Sequence, residues 1–130
     1  MIPMRKNSDL FDTLLDKMFY VDNFYKTPFT DIIKNDDNFI IELSLAGLNK
    51  DDVTIKTEDD VLTIEAERKK RENIDYQSIE TFYGKYKKII ELPDYIDIDK
   101  ITAEMKNGIL TIILPKKETF IRKDRVISIE

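Results

Sequence analysis

Carboxylate and lysine chemistry is what remains open to this chain, because its 130 residues include neither histidine nor cysteine. The commonest general bases, nucleophiles and transition-metal ligands are therefore missing. A pair of carboxylates flanking a scissile bond is the one hydrolytic route left, and nothing in the linear sequence gathers such a pair. The D-x-x-D-x-D run of Asp94, Asp97 and Asp99 superficially invites calcium. It has no glycine at the sharp bend and no glutamate at the twelfth position, so a solvated turn is expected over Asp94 to Lys100. Arg68-Lys69-Lys70-Arg71 stands beside Glu65, Glu67 and Glu72 without interleaved aromatics, which describes a solvated loop start and not a nucleic-acid patch. With three glycines in the chain there is no phosphate-cradling loop. The expectation is a protein that is not an enzyme and uses no cofactor and no metal.

Composition narrows the class further. A net charge of −5 with 36% charged residues of both signs describes a soluble, self-repelling surface, with neither nucleic acid nor membrane as partner. No window approaches the roughly 20 apolar residues of a membrane span. The N-terminus lacks a secretory pattern and nothing argues for an oxidising compartment, so a cytoplasmic location is expected. The length suits one domain that needs no stapling.

The elements that would position any site are short strands. Ile101, Ala103 and Met105 alternate with polar residues, Asn107-Gly108 supplies the strongest two-residue hairpin turn signal, and Ile109 to Leu114 reads as a strand buried on both faces, closed by Pro115. Upstream, Asp31 to Lys34 reads as an edge strand. Phe39, Ile41, Leu43 and Leu45 share one face of the next strand, Val53 to Thr57 alternates, and Val61 to Arg68 places Leu62, Ile64 and Ala66 on one side. Short strands at this spacing predict a β-sandwich. Lys69 to Gln77 is too polar for a core element and reads as a long loop.

Two termini flank this domain, giving expected divisions at 1–30, 31–115 and 116–130. In the first, Leu10, Phe11, Leu14, Leu15, Met18 and Phe19 recur on one helical face, with Ser8 or Asp9 as cap, and a further run of aromatics follows. Such a helix either docks on its own domain as core or stands as an exposed adhesive arm. In the last, Ile127 and Ile129 point the same way when extended. They either pair within their own domain or dock elsewhere.

Ala103-Glu104-Met105-Lys106-Asn107-Gly108-Ile109-Leu110 resembles the A-x-x-x-N-G-(V/I)-L signature of the α-crystallin domain of small heat-shock proteins. The resemblance covers roughly residues 28 to 130. Leu45-Ala46-Gly47-Leu48 with its following acids is similar to the family's L-P-G passage, with Ala46 in place of proline. Gly84 to Pro93 is similar to its G-x-F-x-R-x-(F/I)-x-L-P strand, with Lys88 where arginine is usual. Lysine lacks arginine's bidentate fork, which leaves an ion pair to a partner subunit open at that position.

The resemblance implies an immunoglobulin-like β-sandwich, with a short helical N-terminal arm and an extended C-terminal tail. It implies a homodimer formed by exchange of the strand from Tyr76 to Phe82, with Ile79 at its centre. It further implies larger oligomers built when Ile127-Ser128-Ile129 docks into a groove of a neighbour formed by Val53, Ile55, Ile101, Ala103 and Met105. Residues 1–30 would capture unfolding client proteins. The implied function is an ATP-independent holdase chaperone of the stress response, the alternative being a co-chaperone or adaptor sandwich that serves one dedicated partner.

Overall fold

The computed structural model describes residues 26–120 and 127–129. The helix expected around Leu10 to Phe19 lies outside the described residues. Among the described residues seven strands form: β1 (Thr30–Lys34), β2 (Asn38–Ser44), β3 (Val53–Glu58), β4 (Val61–Arg68), β5 (Gly84–Glu91), β6 (Thr102–Lys106) and β7 (Ile109–Pro115). They make two antiparallel sheets, one in the order β1-β2-β7-β6 and the other β3-β4-β5. The all-β sandwich anticipated from the alternating runs is the architecture found.

Local chemistry sets each corner. Between β1 and β2, the Asn35 side-chain oxygen accepts from the Asp37 and Asn38 amides at 3.1 and 2.8 Å, so the side chain stands in for a turn of backbone. Between β3 and β4, Asp59 and Asp60 both take positive φ, 49° and 64°, as a two-residue mirror-image turn requires. Asn107 and Gly108 do the same between β6 and β7. The last turn also joins distant parts of the chain, since the Leu45 amide donates to the Gly108 carbonyl at 2.7 Å.

The core lies between the sheets. Phe39, Ile41, Leu43 and Leu45 on one side meet Leu62, Ile64, Ala66, Tyr86 and Ile90 on the other, and Leu110, Ile112 and Leu114 complete the first sheet's inner face. Strand β7 departs from expectation. It is buried on one face only, with Ile109, Thr111 and Ile113 half-buried on the outer face, because no second described layer covers that side of the sheet. Asp94 to Lys100 is a turn but not the wholly solvated one expected: Tyr95 and Ile96 are buried in the core, while Asp94 and Asp99 stay exposed and Lys100 pairs with Asp97 at 3.7 Å.

The chain on either side of the strands also bonds to the sandwich. Lys26 lies parallel beside Tyr86, and its carbonyl accepts from the Lys87 amide at 3.0 Å. The Ser44 amide donates to the Phe29 carbonyl at 3.0 Å, and beyond β7 the Lys116 amide donates to the Asp37 carbonyl at 2.9 Å.

Gly108 tests the link between turn chemistry and fold. A Cβ there would sit 3.1 Å from the Ala46 Cα, at φ +77°, so both sterics and backbone conformation oppose any side chain. Gly108→Ala is expected to lower stability by about 1–3 kcal/mol in urea unfolding, as strain at such a position does.

Candidate functional site

The site is a groove, and it is built from two strand edges. β3 is an edge of one sheet and β6 an edge of the other. Between them runs a groove of about 170 Å³ lined by Val53 and Ile55 from β3, Ala103, Glu104 and Met105 from β6, Leu110 from β7, and Lys50. Four of the five expected groove residues, Val53, Ile55, Ala103 and Met105, thus come together. Ile101 packs against the core beside it and is not part of the lining. Sequence reading missed Leu110, Lys50 and Glu104. Leu110 was legible in principle, because it stands opposite Met105 across the hairpin.

Lys50 belongs to the short 3-10 turn Lys50–Asp52 that leads into β3. Asp52 closes that turn by accepting from the Asn49 amide at 2.9 Å. The groove can therefore hold aliphatic side chains beside one cationic and one anionic neighbour, and it offers no reactive group. A larger depression of about 310 Å³ is lined by residues such as Asp52, Glu65, Glu67, Lys85 and Lys87. Its charges are mixed and Lys87 pairs with Glu65 at 3.8 Å, which suits a solvated sheet face.

The tail and the long loop present apolar side chains to solvent. Ile127 is 74% and Ile129 99% exposed. Within residues 69–83, Ile74, Ile79 and Phe82 are exposed large apolar groups. Tyr76 to Phe82 forms no ladder with its own sheets, and both ends of the segment are tied down. At one end the Arg71 amide donates to the Tyr76 hydroxyl at 3.4 Å and the Tyr76 and Tyr83 rings lie 6.0 Å apart. At the other, the Phe82 ring meets Tyr86 edge-on at 5.1 Å.

Arg68 makes that second foot. Its guanidinium donates to the Phe82 carbonyl at 3.4 Å, to the Tyr86 hydroxyl and to the Ala46 carbonyl, and it lies 5.2 Å from the Tyr86 ring centroid. The sequence places Arg68 in a solvated basic run, whereas the structure separates it from Lys69 to Arg71. The missed signal is parity, since Arg68 continues the inward series of Leu62, Ile64 and Ala66.

Parity also places Lys88 inward, between Tyr86 and Ile90 on β5 and opposite Ile64. Burial pushes its ammonium pKa below the ordinary 10.5, because desolvation disfavours the charged form. Among the described residues it has no ion-pair partner.

A sandwich with a groove between the edges of its two sheets invites comparison with known proteins. Residues 31–130 match the model of the Hsp20/alpha crystallin family. The chain belongs to this family, that of the small heat-shock proteins. Small heat shock protein C2 of Rickettsia felis is 33% identical over 129 residues, covering 88% of this chain and 81% of that protein. The 18 kDa heat shock protein of Clostridium acetobutylicum is 33% identical over 136 residues, covering 90% and 89%. Another R. felis relative, C4, is 32% identical, and 63% of its length is spanned. Among solved structures, a small heat-shock protein from Xylella fastidiosa superposes with a TM-score of 0.67 at 29% identity, over 80% of this chain and 96% of that one. Heat shock protein 16.0 of Schizosaccharomyces pombe gives 0.64 at 30%, over 80% and 98%. Small heat-shock proteins are non-enzymatic chaperones, which is the class of this chain. Among the described residues no helix is long and apolar enough to cross a membrane.

Lys88 yields a prediction of definite sign. Its folded-state pKa is depressed, so between that value and 10.5 the unfolded chain binds the proton more readily. Stability should therefore gain a component as pH rises through this window. In urea unfolding followed from neutral pH to 10.5, Lys88→Met should be at least as stable as the parent at the lower end. Its advantage should shrink towards the upper end.

Proposed function

We propose that this small heat-shock protein is an ATP-independent holdase of the cytosol, a homodimer assembled into larger oligomers that shields the apolar surface of unfolding proteins. The observation that carries this reading is the presence, on one subunit, of two exposed isoleucines, Ile127 and Ile129, and an apolar groove of about 170 Å³. Burying both in a neighbour's groove is worth roughly 3–6 kcal/mol per contact, and a closed oligomer repeats the contact in every subunit.

The dimer would form by strand addition. Among the described residues no strand pairs with the outer side of β1, and the exposed centre of the long loop, around Ile79, is the segment to fill it from a second copy. Backbone hydrogen bonds would supply the affinity, while Tyr76 and Phe82 stay anchored to their own subunit. Leu10, Phe11, Leu14, Leu15, Met18 and Phe19 would supply adaptable apolar contacts to clients, which a rigid sandwich lacks.

Light scattering from a heat-aggregating model protein, without ATP, tests the function. Suppression is expected at near-stoichiometric subunit ratios. An oligomer that leaves aggregation untouched would point to the adaptor alternative. Assembly has separate tests. Ile127→Ala with Ile129→Ala should reduce large oligomers towards dimers in sedimentation, while Ile79→Pro should reduce the dimer to monomers in native mass spectrometry, since proline removes a ladder donor. Deleting residues 1–27 should leave a folded dimer, less only the Lys26 bond to β5, with a large loss of aggregation suppression.

A further inference from the structure

The groove that receives apolar side chains is lined by two charges, Lys50 and Glu104. Neither has an ion-pair partner among the described residues. They also stand at different places along the groove. The hairpin turn at Gly108 packs on the chain at Leu45 and Ala46, which brings the following turn with Lys50 to the Met105 end of β6. Glu104 lies one residue further along β6, towards Thr102 and opposite Thr111, so its charge stands at the outer rim of the groove while Ala103 and Met105 face into it. Of the acids next to Lys50, Asp52 lines the separate depression with Thr54 and Glu65 and Asp51 is exposed, and neither is part of the groove lining.

The tail carries the matching charges in the matching order. Arg125 precedes Ile127 by two residues and Glu130 follows Ile129 by one. An extended segment places these two charges roughly 17 Å apart, on either side of the isoleucine pair. I-x-I itself is nearly symmetric end to end. Its apolar side chains do not distinguish the two directions in which a neighbour's tail could lie.

We infer that Lys50 and Glu104 set that direction, admitting residues 125–130 of a second copy with Arg125 on the Glu104 side and Glu130 on the Lys50 side, so that the tail runs the same way as β6. The opposite direction brings Arg125 to Lys50 and Glu130 to Glu104, two like-charge approaches in place of two attractions. The inference rests on the tail-in-groove reading above and adds the charge-determined direction to it. Direction matters because it fixes where the connector from β7 leaves the groove, and hence which neighbouring subunit the tail can come from.

The absence of native cysteine allows a direct test, because introduced cysteines report proximity without background. Subunits carrying V126C are mixed, under oxidised glutathione, with subunits carrying either A103C or N49C. All the native groove and tail charges remain in place. Cross-linking to A103C should exceed cross-linking to N49C by roughly threefold or more, the scale of two partly screened ion pairs, and the preference should shrink at high salt. Adding K50E and E104K should reverse the preference, and adding R125E and E130R as well should restore it. Equal cross-linking to both positions, or a preference that K50E with E104K leaves unchanged, overturns the inference while the tail-in-groove reading stands. No cross-linking to either, together with an oligomer unaffected by I127A and I129A, overturns both.

Discussion

A sandwich of two open sheets ends in four strand edges, and a strand edge is a row of backbone donors and acceptors that must meet water or another chain. This constraint organises the molecule. The β5 edge is met by the approaching chain at Lys26. The β3 and β6 edges lie together and form the groove. The β1 edge has neither a described strand nor a facing sheet edge beside it. In the assembly proposed above, strand addition and tail docking would be two answers to one problem, the first through backbone hydrogen bonds and the second through apolar burial.

Much of the architecture was legible because burial on one face writes a period of two into a strand. Phe39, Ile41, Leu43 and Leu45 carried that signal without interruption, as did Leu62, Ile64 and Ala66, and all seven are buried. Asn107-Gly108 was legible for a different reason, since few residue pairs accept positive φ twice in succession. Strand β7 misled because a run of β-branched residues reads alike whether its outer face is covered or half-solvated.

The site was legible in its apolar part and illegible in its polar part. Val53, Ile55, Ala103 and Met105 followed from alternation joined to a family resemblance. Lys50 and Glu104 look in sequence like any surface charges, and only the meeting of two sheets gives them a shared neighbourhood. Arg68 shows the opposite error, since its place in a basic run suggested solvent. It and Lys88 both continue an inward series, and the fold answers each differently. Arg68 finds two carbonyls and a hydroxyl, whereas Lys88, among the described residues, bears its desolvation without an ion pair.

The loop from Arg68 to Gly84 has a consequence of its own. With one foot at Arg71, Tyr76 and Tyr83 and the other at Arg68, Phe82 and Tyr86, the segment between has a fixed reach. A strap anchored at both feet works as a ruler. In the dimer proposed above, where the centre of the strap adds to the sheet of a second copy, subunits whose straps differ in length would present that centre at mismatched heights. Mixed dimers would then be excluded by length alone, with no contact residue required to refuse them.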